Sequence, residues 1–180
     1  MTLVNLSLGL QMGYHKYLQK LWKQPKENFG TEAWKAFLVK LRTEPATLRL
    51  EHPTRPDRAH ALGFKAKQGY LVVRARVTKG SHKREHFHGG RKAKKRGMFI
   101  NIAQSAQGIA EQRAVKNYPN CEVLSSYWVA HDGIHIWYEV ILVDRDSPVI
   151  KADPRISWIA DKKGRASRGL TAAGKKSKWK

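Results

Sequence analysis

Two stretches of this 180-residue chain are too highly charged to fold by themselves. Residues 79–96 hold eight Lys/Arg against a single acid, Glu85, and residues 162–180 hold eight against none. Residues 99–160 hold five Lys/Arg against seven Asp/Glu, although the whole chain carries a net charge of +21. A near-neutral folded part therefore carries two basic, glycine-containing extensions. Ordering a backbone costs about 1–2 kcal/mol per residue, and neither stretch has enough apolar surface to offset that. Both are expected to be disordered alone and to settle on a polyanion. Nucleic acid is the first candidate, because each neutralised phosphate releases a condensed counterion.

The length supports one domain with extensions, and 41% hydrophobic residues supply a modest core. The single cysteine, Cys121, excludes an internal disulfide and suits a reducing compartment. No run of about 18 apolar residues is present, so no membrane span is expected. The basic tracts also lack the helical period of an interfacial helix. Residues 1–11 are apolar but have no basic leading region, so they do not read as a signal peptide.

Periodicity sets out the elements. Residues 13–23 form an amphipathic helix, with Tyr14, Leu18, Leu21 and Trp22 on one face and Pro25 as its stop. Thr31 can cap a second helix, in which Trp34, Phe37, Leu38 and Leu41 recur, and Pro45 ends it. A short strand over residues 47–51 follows. Next comes a helix that opens at Pro56 and ends at Gly63, the residue suited to a left-handed C-terminal position. Residues 70–78 alternate cleanly. Leu71, Val73, Ala75 and Val77 form one face; Tyr70, Val72, Arg74, Arg76 and Thr78 form the other. Two arginines on such a face require solvent or an anion. Residues 104–116 read as a helix packed through Ala106, Ile109, Ala110 and Arg113 or Ala114. Residues 122–131 and 134–144 read as strands joined at Asp132-Gly133, a hairpin signal. Both are apolar on two faces, which predicts central strands. A short element falls near residues 154–159, and the basic tail offers only Leu170 and Trp179 as core formers. The fold class is α+β: a small mixed or antiparallel sheet in β-α-β-α-β-β order with helices on one face. The organisation predicted is an extension (1–11), N-terminal helices (12–46), an α+β domain (47–160) with a basic loop (79–98), and a basic tail (161–180).

Catalysis finds no support. His82, His86 and His88 cluster in the basic loop, but no cysteine and only Glu85 lies near, and the surrounding cations disfavour a dication, so no metal is expected. Cys121 has no signature of a base and orienting partner, and it reads as a small apolar residue near the core. Glu139 among aromatics is a candidate general base, although pairing with a nearby Arg or Lys is the commoner arrangement. Gly89-Gly90-Arg91-Lys92 lacks the spacing of a phosphate loop. No cofactor and no small-molecule substrate are implied.

Basic residues interleaved with glycine point instead to binding. Gly164, Gly169 and Gly174 recur every five residues and would let backbone approach a nucleic-acid surface. A solvated, disordered tail is the alternative reading of such a charge run. Composition does not separate RNA from DNA, and neither a helix-turn-helix, a zinc finger, a basic zipper nor an RNA-recognition motif is visible. Two further readings stay open at this level: an RNA-processing enzyme using His86 or His88, and a free DNA-compacting protein.

The segments PTRPDRAHALGFKAKQGYLVVRARV (53–77), SSYWV (125–129), WYEVILVD (137–144) and RGLTAAGKKS (168–177) resemble a ribosomal protein family. It is large-subunit protein fifteen of the eukaryote-type series, found in archaea and eukaryotes. The similarity runs from Met12 to about Lys178. It implies a non-catalytic, structural role in translation, with extensions threading large-subunit rRNA beside neighbouring ribosomal proteins, and a cytoplasmic, ribosomal location. The cations expected at RNA are Lys65, Lys67, Arg74 and Arg76 in the strand region; Lys79, Lys83, Arg84, Arg91, Lys92, Lys94, Lys95 and Arg96 in the loop; and Lys162, Lys163, Arg165, Arg168, Lys175, Lys176 and Lys178 in the tail. Of these, Lys65, Lys67, Arg74, Arg76, Arg168, Lys175 and Lys176 are carried over from the family's basic stretches. The chain departs from the family in the histidines of its loop, in stopping soon after AAGKKS, and in its first eleven residues. Those eleven are expected to be either a surplus extension ahead of an initiator at Met12 or an apolar arm that docks on a neighbouring protein.

Overall fold

A computed structural model describes residues 13–83, 90, 97, 99–100 and 102–178. The expectations for residues 1–11 and for most of the basic loop, including His86 and His88, lie outside the described residues. Helix α1 (Tyr14–Leu21) is followed by the short α2 (Pro25–Asn28), so Pro25 opens a helical turn rather than only ending one. This suits a proline at the first helical position, where its missing N–H has no partner to lose. Helix α3 (Thr31–Thr43) is capped at Gly30, one residue ahead of the expected Thr31. Strand β1 (Thr47–Leu50), helix α4 (Pro56–Ala61) and strand β2 (Tyr70–Thr78) follow. Gly63 ends α4 at φ 94°, the left-handed conformation expected there. Two-residue strands β3 (His82–Lys83) and β4 (Phe99–Ile100) pair across the basic loop. Helix α5 (Ala106–Lys116), strands β5 (Cys121–His131) and β6 (His135–Asp144), helix α6 (Pro148–Lys151), a 3-10 turn (Ser157–Ile159) and helix α7 (Ala172–Lys178) complete the chain. Among the described residues, no helix is long and apolar enough to cross a membrane.

The sheet is antiparallel with order β1-β2-β6-β5. The α+β class and the element order stand, and β3 and β4 add a small second ladder. Helices cover both faces, not one. Val73, Val140 and Leu142 pack with Ala114 of α5, and Ala75 and Val77 pack with Ala110. On the opposite face Val72, Tyr127, Trp137 and Ile141 pack with Trp34 and Leu41 of α3, Ala59 of α4, and Trp22. Strands apolar on two faces need two covering layers, and the N-terminal helices supply the second.

Strand β6 is central, as expected, but β5 is an edge strand. Its outer carbonyls are occupied by side chains from other elements. Gln107 Nε2 donates to Ser126 O at 2.9 Å, Arg55 Nη1 to Trp128 O at 3.3 Å, and Arg165 Nη1 to Val123 O and, at 3.4 Å, to Leu124 O. An edge covered in this way does not template further strand pairing, which lets an apolar strand occupy it. A register shift between Val123 and Ser125 reverses the alternation. Cys121 and Val123 face α5 ahead of it. Beyond it Ser126 takes that side and Tyr127 lies opposite Glu139.

Glu139 sits in the middle of the sheet, fully buried. Its carboxylate accepts from Thr54 N (3.0 Å), Thr54 Oγ1 (2.5 Å), Tyr127 Oη (2.6 Å), and Arg74 Nε (3.3 Å) and Nη2 (3.1 Å). Arg74 lies directly across the β2–β6 ladder from it and also donates to both oxygens of Glu44, at 2.8 and 2.7 Å. The anion that the Arg74 face required is therefore protein carboxylate, and Glu139 has the paired role rather than that of a base. Burial, then the adjacent Glu139 charge, pushes the Tyr127 hydroxyl pKa up, so Tyr127 stays a donor. Removing one member of a buried ion pair strands the other, typically at a cost of about 3–5 kcal/mol. Arg74→Ala should lose about that much unfolding free energy in a denaturant titration.

The β5–β6 hairpin forms as expected, with His131 opposite Ile136. Its turn is closed by Asp132, whose Oδ1 accepts from Ile134 N (2.7 Å) and His135 N (2.6 Å) while Oδ2 accepts from Arg42 Nε (2.8 Å). Burial alone would raise the Asp132 pKa, but these bonds outweigh it and hold it near about 2, against an ordinary 3.8. A depressed carboxyl pKa stabilises the fold above the unfolded value, and that contribution fades as pH falls through the folded one. The stability advantage of the wild type over Asp132→Asn should therefore shrink between pH 3.8 and about 2 in urea melts at stepped pH.

Candidate nucleic-acid interface

The tail is docked, not free. Glu122, itself buried, accepts from the backbone N–H groups of Gly164 (2.7 Å) and Arg165 (3.1 Å). Glu111 of α5, also buried, accepts from Ser126 Oγ and from Thr171 Oγ1, each at 2.5 Å. Burial pushes the Glu111 pKa up, against the lowering effect of those two hydroxyls and of Arg165. Ser177 Oγ accepts from Ser105 N at 2.9 Å, which ties α7 to the start of α5. Ala166, Thr171 and Ala173 are buried, so the tail has core residues beyond the Leu170 and Trp179 expected from the sequence. Small side chains escape a reading that looks for large apolar ones.

The five-residue glycine spacing serves this docking. A Cβ on Gly174 would lie 2.6 Å from Gly169 Cα, and Gly169 adopts φ 69°. The two backbones touch each other, so the close approach is within the protein. The structure likewise replaces the expected disorder of residues 161–178 with specific contacts. Hydrogen exchange should find the Gly164 and Arg165 amides protected in the free protein. Glu122→Ala should speed exchange across the 161–175 peptide by a factor of ten or more, since the loss of a charge-assisted bond is worth roughly 1.5–3 kcal/mol.

The expected RNA-facing cations fall into two sets. Arg74 is buried and paired, so its assignment to an RNA surface is corrected. Arg165 is half-buried. It is tied to the β5 edge and stacked 4.7 Å over the Trp158 ring, so it too acts inside the protein. Burial lowers its pKa, partly offset by Glu122 and Glu111. Lys65 and Lys67 share Asp153, at 3.0 and 2.7 Å. Those two lysines, Lys67 first, draw the Asp153 carboxyl pKa well below the usual range. Arg76 is half-buried, and its Nη1 donates to Arg42 O at 2.9 Å. The second set is exposed. Lys79 donates to Asp132 O (2.9 Å) and Arg168 to Lys163 O (2.6 Å), while Lys162, Lys163, Lys175 and Lys176 also lie at the surface. The side chains of Lys83 and Lys178, and the whole of Arg84, Arg91, Lys92, Lys94, Lys95 and Arg96, lie outside the described residues.

Sequence reasoning passed over further exposed cations: Lys16 and Lys20 on α1, Lys40 on α3, Arg58 on α4, Lys116 on α5, and Arg155. Their signal was present as basic positions off the apolar stripe of each helix, but such positions read equally well as ordinary solvated faces. Among the described residues no group of three or more His, Cys, Asp or Glu is arranged to hold a metal ion. Cys121 is buried, and burial, with Asp144 nearby, pushes its thiol pKa up to about 11, so it is not poised as a nucleophile.

Internally paired carboxylates and many exposed lysines and arginines are, among the described residues, the marks of a strongly basic protein. Comparison with known proteins identifies which kind. The family model for ribosomal L15 matches residues 13–179. The chain belongs to the ribosomal L15 family. A curated relative, large ribosomal subunit protein eL15 of Methanocella arvoryzae, is 45% identical over 167 residues, which cover 91% of this chain and 85% of the relative. Within the L15 family frame, the docked tail and the covered β5 edge are parts of one folded unit that presents its charge outward.

Proposed function

We propose that this protein binds and stabilises folded large-subunit rRNA through the exposed cations described above, chiefly by contacts to phosphate. As a member of the ribosomal L15 family, the chain is a structural constituent of the large ribosomal subunit, works in translation and is not an enzyme. Its partners are accordingly rRNA and neighbouring ribosomal proteins, and its place is the ribosome. The family match across residues 13–179 is the observation that carries this reading. The physical support is the partition of charge: carboxylates and backbone carbonyls engage one set of cations, while Lys162, Lys163, Lys175 and Lys176 stand exposed where phosphate can reach them.

Phosphate contacts give binding a steep salt dependence. With about 6–10 such contacts, affinity for an rRNA fragment should fall by ~10³–10⁵ between about 50 and 200 mM salt. Substituting Lys162, Lys163, Lys175 or Lys176 with Ala should each reduce the salt slope by about 1. Filter binding over a salt series measures both, and a flat response would contradict the proposal. Co-sedimentation of the tagged protein with large subunits at physiological salt separates this role from a DNA-compacting one.

A further inference from the structure

Trp158 is a large aromatic at the surface, 41% exposed, in a segment that otherwise turns its apolar residues inward. The 3-10 turn buries Ile156 and Ile159 and leaves the indole between them facing out. The ring is nevertheless held in place. Its Nε1 donates to Arg155 O at 3.2 Å, and the Arg165 guanidinium lies 4.7 Å from its centroid. That guanidinium is anchored in turn, because Arg165 Nη1 donates to the β5 carbonyls and Arg165 N donates to Glu122. An exposed aromatic fixed by a hydrogen bond at its edge and a stacked cation gives up little freedom when a second flat group meets it.

From this arrangement we infer that Trp158 is a stacking platform for an unpaired rRNA base. This rests on the rRNA-binding role proposed above and extends it from phosphate contacts to a base contact. Charge selects the partner. Residues 151–168 carry six Lys/Arg against Asp153 and Asp161; Arg165 is tied to the β5 edge and Asp153 is engaged by Lys65 and Lys67, which leaves five cations against Asp161. Lys151, Lys162 and Lys163 are exposed, and lysine, unlike Arg and Trp, is depleted from protein–protein interfaces, whereas an exposed aromatic within a basic segment is the chemistry that holds a single-stranded base beside its phosphates.

The test uses the full-length protein, a transcript of Methanocella arvoryzae large-subunit rRNA, and filter binding over a salt series. Trp158→Ala should weaken binding about 5- to 150-fold at a given salt concentration. Trp158→Phe, which keeps a π face, should recover most of that loss, and Trp158→Leu should not. The slope of log affinity against log salt should be the same for all four proteins, because stacking displaces no counterion. A changed slope in Trp158→Ala would mean that the basic surface itself had been disturbed, and would overturn the inference. So would unchanged affinity in Trp158→Ala, or equal rescue by Leu and Phe. Wild-type rRNA affinity in a Trp158→Ala protein that is missing from assembled large subunits would assign the ring to a protein neighbour instead. A wild-type protein that fails to bind the transcript would overturn the proposed function and this inference together, whereas the other outcomes bear on Trp158 alone.

Discussion

The carboxylate of Glu139 is the point at which the sheet and its N-terminal helical layer are joined. It lies at the centre of the sheet with no solvent, where an unpaired charge could not be kept. Each partner comes from a different part of the chain: Thr54 from the segment before α4, Arg74 from β2, Tyr127 from β5. Arg74 extends the network to Glu44, just beyond α3. One buried anion thus ties the β2–β6 ladder to the N-terminal helices that cover it. The hydrophobic cluster around Trp34, Leu41 and Trp137 supplies area, but area is non-directional. Five hydrogen bonds converging on two oxygens define how the elements must sit.

The same device recurs wherever a loop or tail meets the sheet. Asp132 closes the hairpin and holds Arg42, Asp153 gathers Lys65 and Lys67, Glu122 accepts the tail's backbone, and Glu111 accepts the hydroxyls of Ser126 and Thr171. With 35 Lys/Arg against 14 Asp/Glu, acids are the scarce component. Placing them at junctions, several of them buried, does two things. It draws particular cations or N–H groups into fixed geometry, and it leaves few carboxylates, Glu27, Glu32, Glu51, Asp146 and Asp161 among them, on the exposed surface.

Much of the architecture was legible in the sequence, because periodicity is a local property. The alternation of residues 70–78 gave β2 to the residue, Asp132-Gly133 marked the hairpin, and Pro56 and Gly63 bracketed α4. What local pattern could not carry was pairing at a distance. Strand β5 reads as central because it is apolar on both faces; its edge is covered by Arg55, Gln107 and Arg165, none of which is near it in the chain. The tail reads as disordered because Ala166, Thr171 and Ala173 are small and its anchors are carboxylates more than 40 residues away. The internally engaged cations suffered most. Arg74 and Arg165 look like Lys162 and Lys175 in a list of basic residues, and only the position of Glu139, Glu44 and the β5 carbonyls separates them.

That separation bears on how a chain of net charge +21 folds before it meets RNA. Like charges repel within about a Debye length, roughly 8 Å at physiological salt, so cations brought together near a core oppose its formation. Here Arg74, Arg165 and the Lys65–Lys67 pair each meet a carboxylate or carbonyl at contact distance. Lys162, Lys163, Lys175 and Lys176 project to solvent, where counterions screen them. The protein can then have a defined interior while keeping a strongly charged surface. Fold and interface use the same residue types, and the placement of a few glutamates and aspartates decides which role each lysine or arginine has.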